Sequence, residues 1–359
     1  MNRSVNPFNA ALAWLEAVPA AARHERIPVL ESGGRVLAAP VLAPRDQPAV
    51  DRALLDGYAV HAAETVGAGA YNPLLPASAV AVAAGDRLPP GTDAVASCDM
   101  VSCDAGFPEF TVPIAPGEGV DRAGRRLRHG VAALEVGGHP VRPEQLALLI
   151  ELGITTVTVF AHPRVALSVS SPRPPDGADT VTPMLQALIA RDGGAIDTRA
   201  PDLIITAGGS FPPPLPASAD FIPELYGFAL RPGGSAGLGR RDGVPVILLP
   251  GEPLACLTAY DLLAARLIRR RSGLVGALPY PTVSLPAGRK FVSRIGSTDI
   301  VRVRLGPGRV EPLGPLEGGG LALAARADGF VIIPAAREGY APGESVTVYH
   351  HGAVVHERG

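Results

Sequence analysis

The sequence predicts a multidomain α/β protein, and three changes of pattern along the chain predict it. From Gln47 to about Pro116, short apolar runs alternate with turn residues. From Pro163 to Gly276, continuous apolar β runs alternate with stretches of helical period. Beyond Pro279 the helical period is lost and short alternating runs return. A chain of 359 residues suits two to three domains at roughly 150 residues each.

Taken in order, 7–22 is expected to be a helix with Phe8, Leu12 and Leu15 on one face, followed by a short helix over 30–39 that stops near Pro40. Runs at 57–60, 79–83, 94–97 and 110–114 read as strands of a small β-rich domain. A helix over 143–152 presents Leu146, Leu149 and Ile150 on one side, Gly153 ends it, and 155–160 is β-branched and alternating. Apolar runs at 165–169, 203–206 and 245–249 are expected as buried strands. Helices over 182–191 and 254–271 accompany them, the second ending in Arg269, Arg270 and Arg271, which suit the negative end of a helix dipole. Buried strands separated by helices imply a mostly parallel, three-layer sheet. Runs at 291–295, 300–304, 329–333 and 345–349 suggest a small barrel or sandwich.

Composition excludes several functions. With 47% apolar and 18% charged residues, the chain can bury a large core and is not disordered throughout, despite 42 glycines and 38 prolines. The net charge of −2 provides no global field for nucleic acid or an anionic membrane. Lys290 is the single lysine, and the arginines are scattered among acids. Cys98, Cys103 and Cys256 are too few for a disulfide framework, and the first two are too widely spaced for a CxxC metal site. His350, His351 and His356 lack the helical spacing of a zinc protease. No apolar run reaches the ~18 residues of a membrane span, and the apolar stretch 10–15 is too short for a signal peptide. The expectation is a soluble cytoplasmic protein.

In an open α/β sheet, ligands bind beyond the carboxyl ends of the strands. Three loops qualify: Ser170-Ser171-Pro172-Arg173, Gly208-Gly209-Ser210, and Pro250-Gly251-Glu252-Pro253. Paired glycines let backbone amides approach an anion, and a proline in the first helical turn leaves the remaining free amides exposed to one. Each is also compatible with an ordinary tight turn. Glu252 competes for the positive helix end, and the proline-rich run 211–216 denies the second loop a helix behind it. In the β-rich region, Asp56 before Gly57-Tyr58 reads either as a carboxylate bonding its own turn or as a catalytic or metal-directed one. The locally basic run 121–129 reads as a solvated face or a phosphate site.

The ordered motifs LLDGYAV (54–60), AAGDRLPPGTDAV (83–95), PRVAL (163–167), DLIITAGG (202–209), ALRPG (229–233) and VPVILLPGEPLACLTAYDLL (244–263) span most of the chain. With RVRL (302–305), ADGFVIIP and PGESVTVY near the end, they resemble the molybdopterin molybdenumtransferase family, MoeA, to which the C-terminal domain of gephyrin is related. The resemblance implies an elongated homodimer. Its subunit would comprise a split helical-strand linker and dimerisation domain (1–47 with 122–162), a β-rich domain (48–121), a three-layer α/β molybdopterin-binding-like domain (163–277) and a C-terminal β-barrel (278–359). It implies insertion of molybdate into adenylated molybdopterin with release of AMP, assisted by Mg2+. Partners would be those two substrates, and molybdoenzymes or other proteins of cofactor biosynthesis, with no nucleic acid and no membrane. Carried over by motif, Asp56 would be catalytic, and Gly57, Tyr58, Gly85, Ser170, Gly208, Gly209, Pro232, Gly233, Pro250, Gly251 and Pro253 would bind substrate. No metal ligand is assigned.

The departures from the family pattern concentrate on charge. An acidic pair after the first α/β strand is replaced by Pro172 and Arg173, and a second by Arg125 and Arg126. Pro-Gly-Lys-Pro has become Pro232-Gly233-Gly234-Ser235, Pro-Gly-Asn-Pro has become Pro250-Gly251-Glu252-Pro253, and Thr-Gly has become Ala84-Gly85. Between Ala195 and Asp202 there is no room for a further helix. Two functions are therefore expected as alternatives: a transferase of impaired or altered activity, or a non-catalytic paralogue that binds molybdopterin or a partner protein.

Overall fold

The computed structural model describes residues 5–104, 107–170, 178–208, 222–276, 278–314 and 320–352. The chain forms two compact units, one of residues 26–159 and the other of residues 1–25 with 160–359.

In the unit of residues 26–159, the helix Pro143–Glu151 starts on a proline, where the missing amide costs no helical bond. Gln145 reaches back to accept from the Arg142 amide at 3.0 Å, and Gly153, at φ +77°, follows the helix end. The helix buries Leu149 among Ile27, Val29, Leu37, Leu134, Val141, Val157 and Val159. The short helix expected over 30–39 does not form. A single 3₁₀ turn, Val29–Glu31, gives way to Gly33-Gly34, and isolated bridges then pair Val36 with Pro140 and Leu37 with Val159. Strand Gly57–Val60 is the centre of a three-stranded antiparallel sheet, between Val80–Val82 and Ala94–Ser97. The strand expected over 110–114 lies earlier: Phe107–Phe110 pairs with Val101–Asp104, and Phe110 points into the core beside Val60 and Ile114.

In the other unit, the first helix, Phe8–Ala17, is shorter than the expected 7–22, because Val18 turns to an extended conformation ahead of Pro19. A six-stranded sheet follows. Ala195–Ile196, Arg164–Ser170, Leu203–Gly208 and Val244–Leu249 run parallel in that order, and Gly237–Arg241 and Leu225–Tyr226 continue it antiparallel. Alternation sorts the side chains. Val165, Leu203, Ile205, Ala207, Ile247 and Leu249 share one core with the helices, while Val246 and Leu248 form a smaller cluster with Ile204 and Tyr226.

The long helix expected over 254–271 contains a π turn, Tyr260–Ala264, between Pro253–Ala259 and Ala265–Arg271. Within that turn Tyr260 and Asp261 are both buried. Tyr260 donates to Asp192 at 3.1 Å. Arg191 donates to Asp192 and Asp261, each at 2.8 Å, and Tyr280 donates to Asp261 at 2.9 Å. The three terminal arginines bond carbonyls of other segments: Arg269 those of Val275 and Gly276, Arg270 those of Leu15 and Val18, Arg271 those of Pro19 and Asp202.

Beyond residue 278, strands Thr298–Gly306, Gly329–Ile333, Ser345–His350 and Thr282–Pro286 are neighbours in that order. Arg309–Pro312 folds back on Thr298–Gly306. An Ala287–Val310 bridge, with Gly288 donating to the Val310 carbonyl at 2.7 Å, joins the two ends of this sheet around Phe291, Val303, Val331 and Val348. A short helix, Gly320–Arg326, interrupts this region, where strands alone are expected from the sequence. Among the described residues, no helix is long and apolar enough to cross a membrane.

Candidate functional site

The parallel register brings the expected loops of the α/β sheet side by side. Ser170 is the register partner of Gly208, and Ala207 that of Leu249, so Ser170, Gly208 and Pro250 emerge from adjacent strand ends. Gly208 has φ +108°, a conformation that favours glycine. Pro250-Gly251-Glu252 then leads directly into the helix at Pro253.

Glu252 is the cap of that helix. Its carboxylate accepts from the amides of Leu254 at 3.1 Å and Ala255 at 2.6 Å, so the first-turn amides that would attract an anion already hold one. Its charge also reaches Cys256 on the same turn, whose thiol burial, with Glu252 adding to it, pushes up to about 12.

The Pro232-Gly233 loop joins this neighbourhood. A Cβ at Gly233 would lie 3.3 Å from the Ala255 carbonyl oxygen and 3.5 Å from Ala259, so the loop packs on the first turns of the capped helix. Gly234, not singled out by the sequence reading, is tighter still: a Cβ would sit 2.8 Å from the carbonyls of both Phe228 and Leu230. The preceding Arg231 forks onto Asp299, donating through Nε at 2.8 Å and through Nη2 to the second oxygen, to which Ser293 also donates at 2.8 Å. Burial raises the Asp299 carboxyl, but the Arg231 and Ser293 bonds outweigh it and hold the group below the usual range. Gly209, Ser171, Pro172, Arg173 and the proline-rich run lie outside the described residues.

Asp56, Gly57, Tyr58 and Gly85 form a second group, in the unit of residues 26–159. Asp56 accepts from the Ala84 amide at 2.7 Å, so it bonds a second turn rather than acting only within its own. Arg52 donates to the Gly85 carbonyl at 2.5 Å, and Asp86 accepts from the Ala83 amide at 2.9 Å. Gly57 has a packing reason of its own: a Cβ there would stand 1.9 Å from the Ala96 carbonyl oxygen. Tyr58 is half-buried against the core around Phe110.

The basic run 121–129 is met by carboxylates. Asp121, 2% exposed, accepts from Arg125 Nε at 2.8 Å and from Arg126 Nη2 at 2.6 Å. Asp51 accepts from the Ala123 amide and Asp46 from the His129 amide, each at 2.7 Å. Both arginines remain more than half exposed, so they present cationic edges to solvent while anchored from behind. Among the described residues, no three His, Cys, Asp or Glu side chains assemble a metal cage.

Two family models match this chain: the MoeA N-terminal region (domain I and II) over residues 6–153, and the MoeA C-terminal region (domain IV) over residues 284–350. Molybdopterin molybdenumtransferase 2 of Mycobacterium tuberculosis is 26% identical, over 88% of this chain and 92% of its own length. Molybdopterin molybdenumtransferase 1 of the same organism is 27% identical, over 94% and 96%. A crystal structure of a molybdopterin biosynthesis MoeA protein from Pyrococcus horikoshii superposes with a TM-score of 0.83 at 27% identity, covering 98% of this chain and 100% of that one.

Proposed function

This chain belongs to the MoeA family, and we propose on that footing that it acts in molybdenum-cofactor biosynthesis as a divergent molybdopterin molybdenumtransferase. In this reading it inserts molybdate into adenylated molybdopterin and releases AMP. The observation that carries it is the convergence of Ser170, Gly208 and Pro250 on adjacent strand ends, where an α/β sheet binds its ligands. With them, Gly209, Pro232, Gly233, Gly251 and Pro253 bind the substrate. Asp56 is the catalytic carboxylate, supported by Gly57, Tyr58 and Gly85. The working protein is a cytoplasmic homodimer that hands its product to molybdoenzymes or other proteins of the pathway. Domain limits at residues 47, 121, 162 and 277 complete this reading.

The donor set does not suit magnesium. A hard cation needs several oxygen ligands, whereas Asp56 is engaged with the Ala84 amide and Arg125 and Arg126 stand where the family carries acids.

Glu252 favours a second reading, a non-catalytic paralogue that retains pterin or docks a partner, because its carboxylate occupies the amides an anionic substrate would use. Purified protein given adenylated molybdopterin and molybdate separates the two. AMP release, followed by chromatography, supports the transferase. Pterin retention without AMP supports the pterin-binding paralogue, and neither release nor retention overturns the transferase and leaves partner docking.

A further inference from the structure

The first helix and the last turns of the long helix line an open cavity of about 250 Å³, at the opposite end of that helix from the Pro250-Gly251 loop. Leu12, Leu15, Leu267 and Leu274 form its apolar walls, and Arg266, Arg270 and Glu16 bring charge to it. The two arginines lie one helical turn apart on the same face, where like charges repel.

Arg270 has structural work: it donates to the Leu15 and Val18 carbonyls at the open end of the first helix. Its Nε is nevertheless buried with no hydrogen-bond partner among the described residues. Arg266 donates through Nε to the Leu262 carbonyl at 2.9 Å. Among the described residues, neither guanidinium has a carboxylate within ion-pair distance. Burial holds Arg266 below its ordinary value, with Tyr349 and Glu16 offsetting it only in part. A guanidinium keeps its proton in a protein, so the charge stays and calls for a counterion. Glu16 is exposed and beyond ion-pair distance of both cations, so the lining of two arginines and one carboxylate carries an excess positive charge beside the leucines.

We propose that this cavity binds a compact monocarboxylate with an apolar body, the carboxylate on Arg266 and the body between the four leucines. A planar guanidinium matches a carboxylate fork. A dianion such as phosphate would meet Glu16 and gain nothing from apolar walls. The proposal does not depend on the transferase reading.

Calorimetric titration of the full chain with benzoate and with isovalerate tests it, with benzamide and inorganic phosphate as comparison ligands. At least one acid should bind saturably and at least tenfold more tightly than either comparison ligand. Arg266→Met, which keeps the apolar stem, should weaken acid binding at least tenfold with an unchanged circular dichroism spectrum. Leu12→Trp, which fills the cavity from a half-buried position, should abolish it and serves if the arginine variant does not fold. Absence of saturable acid binding, equal binding of benzamide or phosphate, or acid binding that survives in the folded variants would overturn the proposal.

Discussion

The Glu252 carboxylate accepts from the Ala255 amide at 2.6 Å and thereby closes the first turn of the helix behind the Pro250-Gly251 loop. Asparagine caps a helix as well as an acid does but carries no charge. Glu252→Asn should therefore leave thermal stability nearly unchanged and tighten AMP or molybdopterin by about 0.3–1 kcal/mol, the effect of one charge at a helix end. Calorimetry on the two proteins measures this. Equal affinities would mean that the anion does not reach this turn.

Gly57 is irreplaceable for steric reasons. A methyl group 1.9 Å from the Ala96 oxygen cannot be accommodated by a side-chain shift, because both partners are backbone in the centre of a three-stranded sheet. Gly57→Ala should cost at least about 3 kcal/mol, the upper part of the overpacking range, in urea unfolding. A cost below about 1 kcal/mol would contradict this packing.

The π turn buries Asp261 beside Asp192, with Arg191 donating to both. Arg191→Met leaves two buried acids with less compensation, and such losses cost about 3–5 kcal/mol. Chemical denaturation of the variant should show a loss of that order. Tyr280→Phe, which removes one hydrogen bond to Asp261, should lose less.

The strands at 57–60, 94–97, 165–169, 203–206 and 245–249 were legible because each is a short, mostly apolar run that breaks the helical period around it. The 30–39 segment misled because Leu30, Val36 and Leu37 mimic a helical face, while Gly33-Gly34 between them allows the chain to turn and pair with residues more than a hundred positions away. Of the candidate site, the placement of Ser170, Gly208 and Pro250 at adjacent strand ends was legible in the sequence. The buried acids Asp121, Asp192, Asp261 and Asp299 were not. A single aspartate reads as surface, and the partners that hold Asp192, Asp261 and Asp299 include residues 68 to 70 positions away. The 121–129 run reads in the sequence as a patch of arginines, but Asp121 sets the geometry of Arg125 and Arg126.

Asp121 makes stability depend on acid. Burial alone would raise its carboxyl, but the hydrogen bonds and charges of Arg125 and Arg126 outweigh burial and hold it below the ordinary value. A depressed folded value means the unfolded chain binds the proton first. The contribution is therefore complete above about 3.9, the unfolded value, and disappears as pH falls through the lower folded one. Asp121→Asn should flatten the acid limb of the stability–pH curve. Parallel curves for the two proteins would show that the Asp121 charge contributes nothing.

Catalysis is where the charge reversals should tell. Arg125 and Arg126 are fixed by Asp121 yet keep exposed edges, and guanidinium groups pair well with phosphate and other oxyanions. On the proposed reading, such a surface would hold an anionic pterin without a cation to bridge it. AMP release from adenylated molybdopterin should then be slow and little stimulated by magnesium. Asp56→Asn can still accept from the Ala84 amide, so it keeps the turn and removes only the charge. If that carboxylate moves a proton, release should fall by about 10²–10⁴-fold in Asp56→Asn, with the melting temperature unchanged. Asp56→Ala should lose the same activity and also loosen the turn at Ala84 and Gly85. Brisk turnover that requires magnesium and disappears in Asp56→Ala would show that a cation is held here by groups other than those now placed around Asp56.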